Sequence, residues 1–553
     1  MRKQKQKPSK KPVNSPKRAI VFGAAFAAAV AGALALRFAW DAGRGGAASE
    51  YPDTNFGNFL ALQHAIYADD FDAASRFSAK LDGAAVVAVR TNRAVAMFLA
   101  GKLDDSAAIL AGDRSITAQI AHAAWLVKKE DWAALYKAFK NNDSQLLAPL
   151  RVWSGVAVGK TADTLKFIDS LPGADSWKDF MRGQVYAETG DQEKARGQFA
   201  MVPADFMNLN DYLYVMSFYQ SAGFDEDADA LRESFTSQPA GLYMLNYADS
   251  QMVSDFSGIR RALAFGLIQS VSHSPFLSST SVSLLLLRTA EVAEQGGGSN
   301  ALNYYLGMFF YDNDSDKYKE YFDRVEKDSL YRPFVLLKNA EKAGNFREMR
   351  RDLERAIAKN PLFVPAIIKL VDKSLQKGRE SYALGAVDRA LKQPGLTDAG
   401  RAYLLSLRAR IHRQSGNLNR AASDIMRAGD ILPTNPTILS EQAKIWALSR
   451  ENLTEAYHFA LALVKRFPSD LDAWDTLAMV VRRTEGNDEA LEILEKVGRV
   501  AETNSSLFEH LGDAYLESGN KARAREAYMR AVKLSDDGLT RESDLEKKIR
   551  RLK

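Results

Sequence analysis

The sequence predicts an all-α fold, a superhelical array of helix–turn–helix units (an α-solenoid) that follows a single N-terminal transmembrane or signal helix. Three observations predict it. Amphipathic helical patterns recur about every 34 residues, small residues and turn glycines keep the same phase through the C-terminal half, and an uncharged apolar stretch follows a basic N-terminus. Because one helix pair cannot bury its own apolar face, the pattern also predicts that neighbouring units share a continuous core.

The composition is that of a globular chain with ample apolar material for a core. Of 553 residues, 46% are hydrophobic and 26% are charged, which are ordinary values for a folded protein. The absence of cysteine excludes disulfides and cysteine-ligated zinc. The formal net charge is +5, but residues 1–18 carry eight basic side chains and no acid, so the remainder has a net charge of −3. A near-neutral body predicts no nucleic-acid partner.

The N-terminus has the pattern of a membrane-targeting segment. Residues 1–18 form a basic leader, and residues 19–37 begin with an uncharged apolar run that would reach about 27 Å as a helix, close to the thickness of a bilayer core. The basic leader should stay in the cytoplasm, with the bulk of the chain across the membrane. The segment is either a permanent signal-anchor or a signal peptide cleaved near residues 33–35. Residues 38–53 are predicted to be a linker.

The C-terminal array, residues 326–538, has the clearest repeats. In residues 507–534, two amphipathic patterns flank a turn at Gly519, and small Gly512 and Ala524 would let the two helices approach closely. One position near the start of each second helix recurs in phase with upstream turn residues and downstream prolines. It falls at Met349, Ala383, Ala421, Ala456, Ala490 and Ala524.

Residues 54–239 predict a more divergent N-terminal array. The same position is placed at Ala74, Ala107, Ala134, Thr164, Ala195 and Ala228. Residues 240–325 have weaker periodicity and predict an irregular helical joint between two superhelical segments. Residues 539–553 predict a capping helix, in which Ser543 and Glu546 have capping-box spacing. Its apolar stripe would consist of Leu545, Ile549 and Leu552.

The order of these blocks resembles that of proteobacterial exported tetratricopeptide-repeat (TPR) proteins. The resemblance rests on residues 56–77, 439–481 and 506–534. It implies a TPR-like solenoid in the bacterial cell envelope, either tethered to the inner membrane with the array in the periplasm or, if the N-terminal segment is cleaved, soluble in the periplasm. It implies no catalytic residue.

The same resemblance implies where partners would bind. TPR arrays curve, and their first helices line the inner surface. The positions that this family exposes there correspond to a candidate partner groove of mixed charge, which an extended peptide or a partner helix could occupy. The residues are Tyr403, Ser406, Arg410, Arg413, Glu509, Asp513 and Leu516.

The sequence predicts no catalytic, nucleotide, cofactor or metal site. Residues 154–161 approach a phosphate-binding loop, but position 154 is serine and no strand precedes it. Residues 159–161 are therefore interpreted as a turn between helices. The six histidines are well separated and no HExxH motif occurs. Asp312, Asp314 and Asp316 alternate as in a calcium loop, but the required downstream glycine and glutamate are absent.

Residues 303–322 are dense in tyrosine and phenylalanine. Core packing is one interpretation, and a ligand groove is the other, because aromatic side chains are favoured anchors at interfaces. Tyr304 and Tyr305 form the candidate aromatic surface.

The sequence therefore favours a non-enzymatic scaffold that binds proteins or peptides in the cell envelope. Two alternatives remain open at this point. One is an accessory scaffold of polysaccharide export, supported only by the aromatic helix. The other is an organelle-anchored TPR receptor with its array in the cytosol, because it shares the order of anchor and repeats.

Overall fold

The computed structural model describes residues 53–67, 70–81, 87–236, 258–273, 281–295, 298–313, 315–394, 396–535 and 539–552. These described residues contain helices and no strand. The leader, the transmembrane segment and almost all of the linker predicted in residues 1–53 lie outside them. Among the described helices, none combines the length and the apolar character needed to span a bilayer.

The α-helices follow one another as α1 (Asn55–Tyr67), α2 (Phe71–Ala79), α3 (Val87–Leu99), α4 (Leu103–Ile109), α5 (Ile116–Lys128), α6 (Trp132–Phe139), α7 (Ala148–Ala157), α8 (Thr161–Ser170), α9 (Asp175–Glu188), α10 (Gln192–Ala200), α11 (Leu209–Ala222), α12 (Asp225–Thr236), α13 (Ile259–Ser272), α14 (Ser281–Ala293), α15 (Asn300–Asp312), α16 (Tyr318–Arg324), α17 (Arg332–Glu341), α18 (Phe346–Lys359), α19 (Val364–Gln376), α20 (Glu380–Leu391), α21 (Asp398–Gln414), α22 (Leu418–Ile431), α23 (Pro436–Ser449), α24 (Leu453–Arg466), α25 (Leu471–Thr484), α26 (Asn487–Gly498), α27 (Ser505–Glu517), α28 (Lys521–Leu534) and α29 (Glu542–Arg551). Odd-numbered helices up to α27 are the first helices of successive pairs, and even-numbered helices are the second. Short turns join the two helices of most pairs, which makes them antiparallel neighbours.

The fourth residue of every second helix is buried. In α28 it is Ala524, and the equivalent residues of the earlier described pairs share this burial although their sizes differ. They are Ala74, Ser106, Leu135, Thr164, Ala195, Ala228, Leu284, Tyr321, Met349, Ala383, Ala421, Ala456 and Ala490. The position one turn inside the second helix faces the first helix, so its burial fixes how the two helices meet.

The predicted positions in α4 and α6 were wrong by one residue. Ser106 and Leu135 occupy the buried position, and Ala107 and Ala134 lie beside it. The Ser106 hydroxyl donates to the carbonyl of Ala94 at 2.8 Å, which fixes the contact with α3. The error has a local cause, because neighbouring small residues in both helices give more than one acceptable register.

The turn interpretation of residues 159–161 is confirmed. α7 ends at Ala157 and α8 begins at Thr161, with Gly159 at a φ of 73° between them. Only glycine adopts this left-handed conformation without steric cost. In place of the buried strand that a phosphate loop requires, α7 precedes the turn.

The described part of residues 240–325 consists mainly of two further helix pairs, α13–α14 and α15–α16. α13 packs against α7, and α14 packs against α5. Arg288 donates to the carbonyl of Leu99 at 3.2 Å, and Arg260 forms an ion pair with Glu130 at 2.6 Å. One apolar core runs from Phe71 to Val335. These helices therefore cover first helices of the N-terminal array instead of extending away from them.

α29 packs on α28 and places its predicted apolar stripe on the last repeats. Leu545 is fully buried, and Ile549 and Leu552 are partly buried against the same core. The capping box predicted at Ser543 is wrong, because the helix begins at Glu542 and Arg541 is its N-cap. Ser543 lies inside the first turn, where its side chain cannot serve as the N-cap.

Substitution of Gly512 by alanine should destabilise the last repeat. A Cβ at Gly512 would lie 2.5 Å from the Tyr528 ring, which is fully buried. We expect a loss of about 1–3 kcal/mol in the free energy of unfolding, as for other overpacked cores. Urea unfolding followed by circular dichroism measures it. Gly197→Ala is the matched control, because nothing lies within 4 Å of a Cβ there; an equal loss in both variants would contradict the packing argument.

Candidate functional site

The inner surface of the C-terminal array carries a continuous series of ion pairs, here called the groove ladder. Each pair joins a first helix to the next one along the array, from α19 through α27 to α29. The members are Asp372, Arg410, Arg413, Glu441, Lys444, Asp472, Asp475, His510, Glu509, Asp513 and Lys548. Ion pairs between successive units align the first helices with one another.

The ladder follows a simple spacing rule on four first helices. Arg410 pairs back to Asp372 on α19, whereas Arg413 pairs forward to Glu441 on α23. The same division holds for residues 441 and 444, 472 and 475, and 510 and 513. Residues three apart lie on one helical face. This i, i+3 charge spacing is a signal in the sequence that could have identified the ladder.

The Arg413–Glu441 pair is the most complete of these contacts. Arg413 Nε and Nη2 donate to the two carboxylate oxygens of Glu441 at 2.6 and 3.1 Å. The side chains are only 15% and 8% exposed. Two parallel hydrogen bonds between a guanidinium and a carboxylate fix both groups in orientation as well as distance.

Asp472 is held as a carboxylate by several groups. It forms an ion pair with Lys444 and accepts a hydrogen bond from the Ser440 hydroxyl at 2.7 Å. Burial by itself would raise its pKa, but Lys444, Ser440 and the nearby Arg413 outweigh burial and lower the pKa of Asp472 to about 2. This carboxylate therefore stays charged at physiological pH.

Asp475 and His510 form the fourth contact of the ladder. His510 Nδ1 lies 2.7 Å from Asp475 Oδ1, and the Ser506 hydroxyl donates to Asp475 Oδ2 at 2.8 Å. Burial alone would lower the pKa of His510. The adjacent Asp475, with Glu509 and Asp513 nearby, outweighs burial and raises that pKa above its usual value. The protonated imidazole is therefore favoured in the folded state.

Glu509 and Asp513, predicted to face a partner, bind the chain's own C-terminal helix. Lys548 Nζ lies 2.8 Å from Glu509 and 2.7 Å from the nearer Asp513 oxygen. The Tyr528 hydroxyl also donates to Asp513 at 2.6 Å. Leu516, the other predicted residue of this repeat, is 40% exposed. The acidic part of the predicted groove is thus occupied.

The remaining predicted groove residues meet around one cavity of about 240 Å³. Tyr403, Ser406, Arg410 and Arg413 all line it, together with Ile368, Gln414, Glu441, Lys444, Asp472 and Leu539. The structure brings these four predicted residues together, and it places Glu509, Asp513 and Leu516 outside the cavity wall. Residues from α19, α21, α23, α25 and α27, together with Leu539, form the wall, so no single repeat could build it.

Two buried polar atoms of the cavity residues have no hydrogen-bond partner within the described residues. They are Arg410 Nε, a donor, and Gln414 Oε1, an acceptor. Unpaired buried polar atoms are rare in folded proteins and cost free energy.

Tyr304 and Tyr305, the candidate aromatic surface, are partly buried against the N-terminal core, and Tyr304 is packed among other rings. Tyr304 lies 5.6 Å from Tyr305, 5.4 Å from Tyr331 and 6.2 Å from Phe322, between ring centroids. Burial raises the pKa of both tyrosine hydroxyls. Of the two interpretations of this helix, core packing therefore fits both rings.

Across the described residues, no three histidine or acidic side chains cluster as a metal site would require. Asp314, one member of the calcium-like spacing, lies outside the described residues.

Comparison with known proteins identifies one repeat of this array. The tetratricopeptide repeat model matches residues 506–537, which contain all of α28 and all of α27 except its first residue. No curated protein matches the chain. Together with the helix pairs described above, the match shows an all-helical, TPR-like solenoid, a fold typical of proteins that bind other proteins.

Solved structures of helical repeat proteins are distantly similar. A tetratricopeptide repeat protein from Parabacteroides merdae is 13% identical over 47% of this chain and 94% of its own, with a TM-score of 0.33. The APC/C hetero-tetramer Cut9-Hcn1 is 14% identical over 89% and 95%, with a TM-score of 0.34. Yeast Tom70 is 13% identical over 90% and 96%, with a TM-score of 0.24. Such low values support no statement about function.

Removal of one partner of the Arg413–Glu441 pair should lower the free energy of unfolding much more than removal of both partners. Arg413→Met leaves a buried carboxylate without its guanidinium, and such changes typically cost about 3–5 kcal/mol. We expect the Arg413→Met/Glu441→Leu double variant to recover more than half of that loss in urea unfolding. Arg482→Met is the control, because Glu517, its partner, is 53% exposed; exposed pairs contribute about 0–1 kcal/mol. Equal losses in the single and double variants would contradict the argument.

The His510–Asp475 contact should make stability depend on pH. The folded-state pKa of His510 lies above its unfolded value of about 6.5. Its stabilising contribution is therefore complete below about pH 6.5 and is lost as the pH rises through the folded pKa. The difference in urea midpoint between wild type and His510→Gln should shrink from pH 5.5 to pH 9. In an Asp475→Asn background this decrease should become smaller or reverse, because burial lowers the pKa of His510 and only Glu509 and Asp513 remain to raise it; a decrease of the same size there would contradict this assignment.

Proposed function

We propose that this chain is a non-enzymatic scaffold that binds protein or peptide partners in the groove of its C-terminal array, and that residues 19–37 tether it to the bacterial inner membrane with the array in the periplasm. The observation that carries the binding proposal is the cavity formed by Tyr403, Arg410, Arg413 and Gln414. It combines a wall of paired charges with an aromatic ring and with the partly exposed aliphatic side chain of Ile368.

The groove ladder supports binding by holding this surface in place before a partner arrives. Its ion pairs join successive first helices, so less conformational entropy is lost when a partner binds. Because most ladder charges are already paired, a partner would gain its contacts from apolar and neutral polar groups. Ile368 is 39% exposed, and the Tyr403 hydroxyl accepts a hydrogen bond from Asn435 at 2.8 Å. Aromatic and aliphatic groups beside fixed polar atoms are typical of peptide grooves.

The envelope location is supported by the sequence of the N-terminus and by the resemblance to exported repeat proteins. The alternative role in polysaccharide export loses its support, because Tyr304 packs among other rings and Tyr305 is partly buried against the same core. The receptor alternative differs from our proposal in topology alone. A reporter fused after residue 553 should be active in the periplasm; activity confined to the cytoplasm would contradict our proposal.

A photo-crosslinking amino acid at Ile368 should capture a specific partner in the native envelope. Ile368 lines the cavity and is 39% exposed. The same amino acid at Met426, which is 46% exposed on the second helix α22, is the matched control. Mass spectrometry of the adducts identifies the partner. Equal adducts at both positions, or none at Ile368, would contradict binding in the groove.

The N-terminus of the mature protein distinguishes a membrane-tethered form from a cleaved, soluble periplasmic form. Mass spectrometry of the protein from its native membrane should find residues 1–37 retained. A mature chain that begins near Leu36 would replace the tether with a soluble periplasmic scaffold and would leave the binding proposal intact.

A further inference from the structure

The last residues of the chain reach back across the groove of the C-terminal array. Gln414 Nε2 donates to the carbonyl of Leu539 at 3.0 Å, and Arg541 Nη2 donates to the carbonyl of Gln414 at 3.0 Å. Arg541 also forms an ion pair with Glu380, and Lys377 lies 2.7 Å from Glu542. These contacts join residues more than 120 positions apart. We call residues 539–542 the strap.

The strap limits what the groove can hold. Leu539 forms part of the wall of the 240 Å³ cavity. An α-helix with its side chains is about 10–12 Å across, so a helix that lay along this part of the groove would meet residues 539–542, which bond to Gln414 there. A partner helix therefore has to displace the strap to occupy this part of the groove.

The surface under the strap and α29 is acidic. If these elements leave, Glu380, Glu509 and Asp513 lose Arg541 and Lys548, whereas Lys377 alone loses an acid, Glu542. Three carboxylates then face one ammonium group and the His510 imidazole, whose own partner is Asp475. Such a surface attracts basic segments and disfavours acidic ones.

The contacts that residues 539–552 make with the array indicate what kind of ligand could take their place. Arg541 is the N-cap of α29 and Lys548 lies inside the helix, so the segment presents one cation at the start of the helix and one on the side that faces Glu509 and Asp513. Leu545, Ile549 and Leu552 form the apolar stripe beside them. A ligand with this pattern is a basic amphipathic helix.

We propose that residues 539–552 are an internal occupant of the partner site, and that the partner presents a basic amphipathic helix that displaces them. This inference rests on the proposed function of the groove. The bound partner places cations against Glu380 and against Glu509 and Asp513, and its apolar stripe takes the positions of Leu545, Ile549 and Leu552. The unbound chain keeps the site closed, so affinity for weakly matching segments is reduced.

The probe for the test is a fluorescein-labelled peptide with the sequence of residues 539–552. In the full chain, Lys548→Glu places a carboxylate beside Glu509 and Asp513, which should release α29. We expect this variant to bind the peptide at least tenfold more tightly than wild type, by fluorescence anisotropy, with faster hydrogen exchange in residues 542–551. Lys547→Glu is the matched control, because Lys547 is 59% exposed and pairs with Asp544 on its own helix. It should behave as wild type.

A peptide with glutamate at the positions of Arg541 and Lys548 should bind none of the variants. If Lys548→Glu unfolds the last repeat, by circular dichroism, Arg541→Glu replaces it, because its partner Glu380 lies on α20 and outside that repeat.

Three outcomes would overturn the proposal. The first is equal peptide binding to wild type and variant. The second is a released α29 without peptide binding. The third is a dimer that exchanges α29 between two copies, which would make a second copy the occupant. Crosslinks at Ile368 that capture a partner while the peptide never binds would refute this inference alone; failure of both experiments would also refute the proposed function.

Discussion

The stacking of helix pairs depends on one contact, the burial of the fourth residue of each second helix against its first helix. Alanine, serine, threonine, leucine, methionine and tyrosine all occupy this position, so what is common to the array is the place of the contact and not its size. Where a large ring fills the space beside this contact, the first helix has a glycine, as at Gly512 beneath the ring of Tyr528. A helix pair formed in this way still has an exposed apolar face, which explains why the pairs continue as one array.

The groove ladder is the polar counterpart of that apolar packing. The apolar contacts hold each pair together, whereas the ladder joins the first helices of successive pairs on the inner surface. Buried ion pairs contribute modestly to stability but strongly favour one alignment over others, because a misaligned charge is left unpaired. A partner that binds in this groove meets a surface whose charges are already arranged, and the cavity beside Tyr403 offers the positions that the ladder leaves open.

Both arrays cover part of their inner surface with segments from later in the chain. In the N-terminal array, α13 and α14 lie against α7 and α5. In the C-terminal array, residues 539–542 and α29 cover Glu509 and Asp513. The two cases differ in composition. The N-terminal cover belongs to one long continuous core, whereas the C-terminal cover has a short apolar stripe, Leu545, Ile549 and Leu552, and a set of ion pairs made by Arg541 and Lys548. The second is therefore the one that a charged competitor could displace.

The sequence by itself determined the helix pairs, their phase in residues 326–538, the turn at residues 159–161 and the apolar stripe of the last helix. These features depend on local periodicity and on glycine at turns, which a sequence displays directly. It also identified Tyr403, Ser406, Arg410 and Arg413 as neighbours, because the repeat places equivalent positions on one surface. Only the tertiary structure decided that α13 and α14 pack back onto α7 and α5, that the Tyr304 ring is packed among other rings, and that Lys548 forms ion pairs with Glu509 and Asp513. Those contacts join residues tens to more than a hundred positions apart, and the curvature of the whole array brings them together.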